Sequence, residues 1–326
     1  MNRPVRVGVI GVGALGWHHA RHLAACPEAE LVGVYDIRPE RGRYVADQVG
    51  TRSFPSRESL LRHVEAVTVA VPTSAHADVG LAALEAGVPV LMEKPLAATL
   101  AEAELLVAGA ASAGLLLQVG HIERFNPALR AAEGYLDHPL FIDGQRLAPF
   151  QPRGTDVHVV LDLMIHELDL ILHLTGGAEA VDVRAAGAAV LSPFLDVAHA
   201  RVEFAGGPVA SVTASRIAQE RVRRLRIYQP EGYLDLDLAS GHGEFLRLRR
   251  GWTPGDAEAL LDVAERVPLE AAAADALRLE LTSFLHAVRG EREVVVTGQQ
   301  GRAAVRLAEQ VARAIQQSPL DAGIPG

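Results

Sequence analysis

One lysine in this chain stands where a parallel sheet places reactive groups. Lys94 follows the apolar run at residues 89–92 and precedes Pro95, so it lies just after a predicted strand. Open sheets of alternating strands and helices bind ligands beyond the carboxyl ends of their strands. A lysine has a pKa of about 10.4 and becomes a general base near neutral pH only when it is desolvated or close to another cation. The position therefore predicts a proton-transfer role for Lys94.

Three glycines near the start of the sequence have the spacing of a dinucleotide-binding turn. Gly11, Gly13 and Gly16 follow a predicted strand and begin a helix, with Ala14 and Leu15 between the last two. The first glycine allows a tight turn, the second lets backbone N–H groups approach a pyrophosphate, and the third permits close packing of helix on strand. The alternative is a glycine-rich turn that binds nothing.

An acidic residue supports the dinucleotide interpretation. Asp36 ends the second predicted strand, where such folds place a carboxylate on the ribose hydroxyls. That carboxylate repels the 2′-phosphate of NADP, so NAD is the favoured cofactor, although Arg38 offsets part of the repulsion. A hydride acceptor beside Lys94 predicts a dehydrogenase, in which a base removes the hydroxyl proton as hydride leaves carbon.

A second set of polar side chains lies along one predicted helix. Asp162, His166 and Asp169 recur at i, i+4 and i+7 among apolar residues. One interpretation is a proton relay, with His166 as acid or base and Asp162 orienting it or the substrate. A second is a zinc-type site that His173 extends. A third is a group of buried polar residues that satisfy one another, and the spacing alone leaves all three open.

The elements that carry these residues change character along the chain. Up to about residue 120, short apolar strands alternate with helices, which predicts a doubly wound parallel Rossmann sheet. Thr99 and Glu102 have the spacing of a capping box, so the helix after Lys94 has a defined start. Beyond residue 120, one helix at 161–174 precedes about six strands of alternating polarity between 181 and 249, and two amphipathic helices follow.

This change of pattern predicts an α/β chain with a second, α+β domain built on a large, mostly antiparallel open sheet. We expect residues 1–120 to bind NAD, residues 121–300 to bind substrate and support oligomerisation, and residues 301–326 to form a C-terminal helix and tail.

Composition narrows the class of protein. The chain has 326 residues, 49% of them hydrophobic, and a net charge of −9 without a long basic run, which argues against nucleic acid or an anionic membrane surface as partner. Cys26 is the single cysteine and fits a reducing compartment. A strand beginning by Val5 leaves no room for a signal peptide, and no apolar run approaches the roughly 20 residues of a membrane span. We therefore expect a soluble cytoplasmic protein.

Taken together, the motifs resemble the Gfo/Idh/MocA family of dehydrogenases. The resemblance rests on the glycine turn and Asp36, the run 71–73 with His76, the segment 93–95, and the helix of Asp162 and His166. It implies a Rossmann domain followed by an α/β domain with a large open sheet, and no metal. The catalytic residues that it implies are Lys94, Asp162 and His166. The residues that it implies at the cofactor, besides the turn and Asp36, are Arg38, Pro72, Thr73, His76, Glu93 and Lys94.

A narrower resemblance is to the UDP-N-acetylglucosamine 3-dehydrogenases that supply diamino-sugar precursors of lipid A. It rests on residues 119–127, on 213–216 and on 220–221. It implies oxidation of the sugar 3-hydroxyl to a ketone, which a partner aminotransferase converts to an amine. A uridine diphosphate needs cationic and amide donors, which Arg124, Asn126, Arg216 and Arg221 can supply. His121 joins Arg124, Asn126, Lys94, Asp162 and His166 as predicted substrate contacts. The alternative for the arginines after residue 220 is a solvated strand face.

Three other functions remain open. A dehydrogenase of a free sugar, inositol or another polyol needs no diphosphate-binding arginines. A redox-neutral glycosidase of the same family keeps its NAD bound. A nucleotide-binding regulator needs no catalytic set, which the joint presence of Lys94, Asp162 and His166 argues against. The resemblance also implies a homodimer or homotetramer formed through the exposed face of the second sheet.

Overall fold

The chain forms two compact units. The computed structural model describes residues 3–151, 157–249, 251, 263–270 and 274–317. The first unit comprises Met1–Ile122 and Asp275–Val305, and the second comprises Glu123–Ala274 and Arg306–Gly326.

The first unit is built on a parallel sheet of five strands in the order β2-β1-β3-β4-β5. The strands are β1 Val5–Ile10, β2 Ala29–Tyr35, β3 Ala66–Val69, β4 Val90–Glu93 and β5 Leu117–Gly120. Every residue of β3, β4 and β5 is buried, as expected for parallel strands covered on both faces. The chain moves from β1 outward to β2 and returns to β3 on the other side of β1, so the ligand crevice of such sheets is expected beyond the ends of β1 and β3.

Six helices belong to this unit. They are α1 Ala14–Ala24, α2 Pro39–Val49, α3 Arg57–Leu61, α4 His76–Glu85, α5 Leu100–Ala113 and α8 Ala276–Val288, with a short 3-10 helix at Thr73–Ala75. The capping box predicted before α5 is confirmed: Glu102 N donates to Thr99 Oγ1 over 3.2 Å, and Thr99 N donates to Glu102 Oε2 over 3.1 Å. The segment that carries Lys94 is therefore held between the end of β4 and a fixed helix start.

The second unit contains a sheet of eight strands in the order β13-β12-β11-β10-β6-β9-β8-β7. The strands are β6 Phe141–Leu147, β7 Ala180–Ala188, β8 Val197–Phe204, β9 Val209–Ser215, β10 Val222–Gln229, β11 Gly232–Asp237, β12 His242–Leu248 and β13 Ala264–Leu269. Neighbouring strands are antiparallel except β6 and β9, which are parallel. The predicted fold class is confirmed, and the strands β6 and β13 add to the six that the alternation predicted.

Helices cover one face of this sheet. They are α6 Pro127–Ala132 and α7 Ile165–Leu174, a π-helical turn at Val160–Met164, and 3-10 helices at Ile122–Phe125 and Glu133–Tyr135. Alternate residues of the strands, such as Ile142, Val212 and Leu225, join one buried cluster with Met164 and Leu168. A last helix, α9, runs over Gly298–Gln316 and contributes residues to both units.

The grouping of residues differs from the predicted boundaries at α8. The sequence placed residues 121–300 in one domain, but Leu277, Leu281 and Phe284 of α8 pack in the core of the first unit with Leu91 of β4. An amphipathic pattern shows that a helix buries one face, not which sheet it covers. Residues 318–326, predicted as a tail, lie outside the described residues. No helix among the described residues is both long and apolar enough to cross a membrane.

Candidate active site

The glycine turn after β1 has a shape that fits a dinucleotide. Gly11 has φ +81°, and a Cβ added there would lie 2.8 Å from the carbonyl oxygen of Ala70. A Cβ on Gly16 would lie 1.9 Å from the carbonyl oxygen of Gly11, whereas one on Gly13 would meet nothing within 4 Å. Two glycines thus close the turn and pack α1 against it, and the third leaves an open backbone surface at the helix start.

Asp36 is fixed beside this turn. Its Oδ2 accepts a hydrogen bond from Val12 N over 2.9 Å, and its Oδ1 accepts one from Arg38 N over 3.0 Å. The Arg38 side chain is 63% exposed, with Nε 3.6 Å from the same carboxylate. A residue that the motif did not predict also holds the turn: Arg41 donates to Val12 O over 2.7 Å and to Gly13 O over 3.0 Å. The only sequence signal for this role of Arg41 was its position, which is three residues beyond Arg38 and in the first turn of α2.

The carboxyl edge of β3 and β4 gathers the other predicted cofactor residues. Pro72 is exposed and Thr73 half-buried, directly after β3. Lys94 is half-buried, and the Lys94–Pro95 peptide bond is cis. His76 is 1% exposed, and its two ring nitrogens lie 2.8 Å from Pro95 O and 3.1 Å from Val71 O. Burial lowers the pKa of His76. It links the loop after β3 to the loop of Lys94, and its contact with cofactor stays a prediction.

Glu93 is also an interior residue. It is 7% exposed, its Oε1 lies 2.9 Å from His19 Nε2, and its Oε2 accepts a hydrogen bond from Lys94 N over 3.2 Å. One oxygen of Glu93 thus faces α1 and the other holds the Lys94 backbone, and its contact with cofactor stays a prediction. His121, at the end of β5, is 1% exposed.

In the second unit the helix of Asp162 is not uniform. Val160–Met164 forms a π-helical turn, and α7 begins at Ile165. Asp162 is therefore on the wide turn and His166, which is 8% exposed, is in the first α-helical turn. The predicted regular i, i+4, i+7 stripe is interrupted between them. Single π-helical turns of this kind occur frequently at functional sites.

The third member of the stripe has a different partner. Asp169 is 1% exposed and forms a two-pronged ion pair with Arg124, whose Nε and Nη2 donate over 2.6 and 2.9 Å. Asn126 donates from Nδ2 to Glu123 Oε2 and to Leu238 O, each over 2.8 Å, and its Oδ1 caps α6 at Ala128 N. Arg124 and Asn126 were predicted to bind substrate, and the structure gives their polar atoms partners inside the second unit; the substrate contact stays a prediction.

A network of buried charged side chains in the second unit includes Glu167, which follows His166 in sequence. Arg146 of β6 is 3% exposed and donates to Glu123 Oε1 over 2.7 Å and to Glu167 Oε1 over 2.7 Å. Burial raises the pKa of Glu167 to about 7, against the attraction of Arg146. Arg223 of β10 lies 3.7 Å from Glu123. Sequence reasoning missed Arg146 and Glu167, because their partners come from distant parts of the chain.

A cavity of about 170 Å³ lies beside Asp162. Its polar lining consists of Arg146, Gln151, Asp162, Arg216, Arg221 and Arg223. Arg216 is 5% exposed and donates to Val157 O over 2.6 Å, with Nε 3.8 Å from Asp196. Burial lowers the pKa of Arg223, and the positive charge of Arg146 lowers it further. An anion in this cavity would be favoured chiefly by Arg221 and Arg223, because Arg146 and Arg216 already face buried carboxylates.

A larger cavity of about 580 Å³ adjoins the same arginines. It shares Arg221 and Arg223 with the first cavity and is also lined by Asp235, Asp237 and Ser240. The arginines at 221–226 were predicted either as ligands or as a solvated face. Arg224 also lines the larger cavity and forms an ion pair with Asp235, whereas Arg226 pairs with Asp143. Across the described ranges, no group of three or more His, Cys, Asp or Glu side chains could hold a metal ion.

The chain is similar to known proteins over most of its length. Residues 5–121 match the Gfo/Idh/MocA oxidoreductase family with its NAD-binding Rossmann fold, and residues 129–235 match the Gfo/Idh/MocA C-terminal domain. The UDP-N-acetylglucosamine 3-dehydrogenase of Acidithiobacillus ferrooxidans is 40% identical over 316 residues, covering 96% of this chain and 97% of that protein. A crystal form of that enzyme superposes with a TM-score of 0.90 at 38% identity, covering 97% of this chain and 99% of the other.

A second relative acts on a different kind of alcohol. The NAD-dependent scyllo-inositol 2-dehydrogenase of Bacillus subtilis is 31% identical over 235 residues, which is 66% of this chain and 68% of that protein. Both relatives are named as dehydrogenases, and the two family models together match residues 5–121 and 129–235. The chain therefore belongs to the Gfo/Idh/MocA family of oxidoreductases, whose first domain binds an NAD-type cofactor.

Proposed function

We propose that the chain is an NAD-dependent dehydrogenase that oxidises the 3-hydroxyl of UDP-N-acetylglucosamine to a ketone. The observation that carries the proposal is the cavity that combines Asp162 with four arginines, because a neutral polyol has no use for such positive charge. The nearly full-length similarity to a UDP-N-acetylglucosamine 3-dehydrogenase supports the same substrate.

We assign the diphosphate, the sugar and the nucleoside of the substrate to different parts of the two cavities. Arg146 is neutralised by two carboxylates, and Arg216 is held by Val157 O and Asp196. Arg221 and Arg223 line both cavities, so we assign the diphosphate to them. The sugar then lies toward Asp162. The nucleoside lies in the larger cavity, where Asp235 and Asp237 offer acceptors for hydroxyl and N–H groups.

The proposed reaction removes one hydride and one proton from the carbinol. NAD, held by Gly11, Gly13, Gly16 and Asp36, supplies the hydride acceptor. Lys94 takes the hydroxyl proton, His166 shares in the proton transfer, and Asp162 orients the sugar or the imidazole. Oxidation of a hydroxyl to a ketone prepares the carbon for amination, so an aminotransferase is the proposed consumer of the product.

The preference for NAD rests on Asp36. Its carboxylate already accepts two backbone N–H groups, which fix it where a ribose diol can donate to it. A 2′-phosphate at that point would meet this negative charge, with only the exposed Arg38 to compensate.

The test is NADH formation by the purified chain, followed by absorbance, with glutamate and an aminotransferase added to consume the ketone. The substrates are UDP-N-acetylglucosamine, UDP-glucose, free N-acetylglucosamine, scyllo-inositol and myo-inositol. We expect turnover with UDP-N-acetylglucosamine, inhibition by UDP, and poor use of NADP. Turnover with an inositol alone would reject the substrate and retain the dehydrogenase. Full turnover without net NADH would point to the redox-neutral alternative.

For assembly, we propose a homodimer or homotetramer formed through the uncovered face of the eight-stranded sheet. This face carries the partly exposed rings of Phe141 and Tyr228, whose centroids are 5.7 Å apart, and Tyr233, 5.2 Å from Tyr228. Light scattering on the intact chain and on Tyr228→Lys measures it, and a monomeric wild-type chain would reject it.

A further inference from the structure

A layer of polar side chains is enclosed in the first unit, between its parallel sheet and two helices. Thr68 of β3 and Gln118 of β5 are both 0% exposed, and each is in register with Leu91 of β4. Residues in register on parallel strands point to the same face. Leu91 packs with Leu281 of α8 and with the apolar residues of α1, so this face lies under those two helices.

Two ionisable side chains from the helices enter the same layer. His19 of α1 and Glu280 of α8 are both 0% exposed. Glu280 has the apolar core residues Leu277, Leu281 and Phe284 as neighbours on its helix face. A carboxyl group in such surroundings is costly to ionise unless it is paired.

Glu280 and Glu93 differ in their partners. Glu93 has His19 2.9 Å from one oxygen and the Lys94 amide at the other. Burial opposes the ionisation of Glu93, but the hydrogen bond and charge of His19 and the charge of Lys94 together lower its pKa. Burial raises the pKa of Glu280 well above its usual value, and the negative charge of Glu93 raises it further.

Several buried polar side chains that could form further hydrogen bonds lie around Glu280 and Glu93. Within the described part of the chain, no hydrogen-bond partner reaches either carboxyl oxygen of Glu280, Nδ1 of His19, Oγ1 of Thr68 or the side-chain amide of Gln118. Buried polar groups in folded proteins are normally satisfied, and internal water is the usual partner where protein groups do not meet. Other titratable groups lie near this layer. Cys26 packs in the same core and its thiol donates to Glu28, His22 of α1 lies 3.4 Å from Asp275 at the start of α8, and buried His76 feels the charge of Glu93.

We propose that Glu280 is a protonated positioning residue, which, joined by ordered water to His19 and Glu93, fixes the Glu93 carboxylate that holds the Lys94 backbone. A neutral carboxyl both donates and accepts, so it can close a hydrogen-bonded network that a carboxylate cannot. It also keeps a second negative charge away from Glu93. Glu280 does not touch substrate or cofactor: it acts through Glu93 on the loop of the catalytic lysine, and in this respect the inference rests on the proposed function.

The first test does not depend on turnover. A protonated carboxyl group has its own C=O stretching band in the infrared, which a carboxylate and an amide lack. The difference spectrum of wild type minus Glu280→Gln at neutral pH is expected to show this band. The matched control is Glu85→Gln, an exposed glutamate at the end of α4, which is expected to show only carboxylate bands. Absence of the band for Glu280 would overturn the proposal whatever the substrate proves to be.

The second test separates positioning from simple packing. Glu280→Gln keeps both donor and acceptor, and we expect its kcat to stay within about twofold of wild type. Glu280→Leu removes both, and we expect kcat to fall by about tenfold with NAD affinity little changed, because displacement of a reacting group is expensive. Equal loss in both variants would show that an ionised Glu280 is needed. Wild-type kcat in Glu280→Leu would show that the residue positions nothing. If no substrate is turned over, the infrared result still decides the protonation state.

Discussion

The candidate sites of the two units are built by different means. In the first unit, the turn at Gly11, Gly13 and Gly16 leaves an open backbone surface, and the carboxylate of Asp36 is fixed beside it. In the second unit, the cavity beside Asp162 is lined by long cationic side chains, and their positions depend on buried carboxylates such as Glu123 and Glu167. A backbone site is encoded locally, whereas a site of buried charges is encoded by residues far apart in sequence. The difference predicts different costs when each is altered.

The largest effect is expected at Lys94, where chemistry and not recognition is removed. Lys94→Ala should lower kcat by about a thousandfold, because general acid–base groups contribute roughly 10²–10⁴ in rate. NAD binding, measured by calorimetry, should persist. Partial rescue of NADH formation by added methylamine would identify the loss as that of a base. Full activity in the variant would remove Lys94 from the mechanism.

Next comes the buried pair of Asp169 with Arg124, which the sequence predicted as a substrate contact. Arg124→Gln removes both charge-assisted hydrogen bonds to the Asp169 carboxylate, and breaking a buried ion pair costs about 3–5 kcal/mol. Chemical denaturation should show this loss in the free energy of unfolding. The exposed pair Arg313–Glu309 is the control, and Arg313→Gln should have little effect. An unchanged stability of Arg124→Gln, with a higher KM for substrate, would restore the predicted binding role.

The glycine turn offers a contrast between two similar changes. Gly16→Ala forces a methyl group onto the carbonyl oxygen of Gly11, so it should destabilise the fold by about 1–3 kcal/mol. Gly13→Ala meets no protein atom and should leave the melting temperature unchanged, yet weaken NAD binding by about tenfold through contact with the pyrophosphate. Thermal melts with and without NAD distinguish the two. Equal NAD affinity in Gly13→Ala would place the pyrophosphate elsewhere.

A smaller effect is expected at Arg223, the proposed contact of the diphosphate. Arg223→Gln should raise KM for UDP-N-acetylglucosamine by about tenfold with a modest change in kcat, because a charge-assisted hydrogen bond contributes roughly 1.5–3 kcal/mol. Arg184→Gln on the outermost strand β7 is the control, since its partner Asp182 is on the same exposed strand. A KM that moves equally in both variants would argue against a specific diphosphate contact.

The smallest effect is a pH dependence of stability. The pKa of Glu167 is about 7 in the folded chain and near 4.5 when unfolded. Between these values the folded chain binds more protons, so this residue's contribution to the free energy of unfolding falls as pH rises from about 4.5 to about 7. Glu167→Gln should flatten the slope over this window. Urea denaturation at several pH values measures it, and an unaltered slope would mean that Arg146 keeps Glu167 ionised.

How much the sequence could predict follows the same division between the units. The Rossmann sheet, the glycine turn and the capping box at Thr99 depend on neighbours in sequence, and their geometry is as predicted. Spacing could not predict the partners of these side chains. The partners of Arg124 and Asn126, which include Asp169 and Leu238, are 45 and 112 residues away in sequence. His76 begins α4 and Glu93 ends β4, and their polar atoms lie beside backbone groups and His19.

The π-helical turn at Val160–Met164 has a consequence for how this site can vary among proteins. Such a turn amounts to one extra residue in an α-helix. Deleting a residue within it would restore regular helix and change the angular relation of Asp162 to His166. Both polar side chains would be retained, and only their relative orientation would differ. The orientation of Asp162 is thus encoded by segment length, so insertions and deletions, more than substitutions, are the changes that would reshape it.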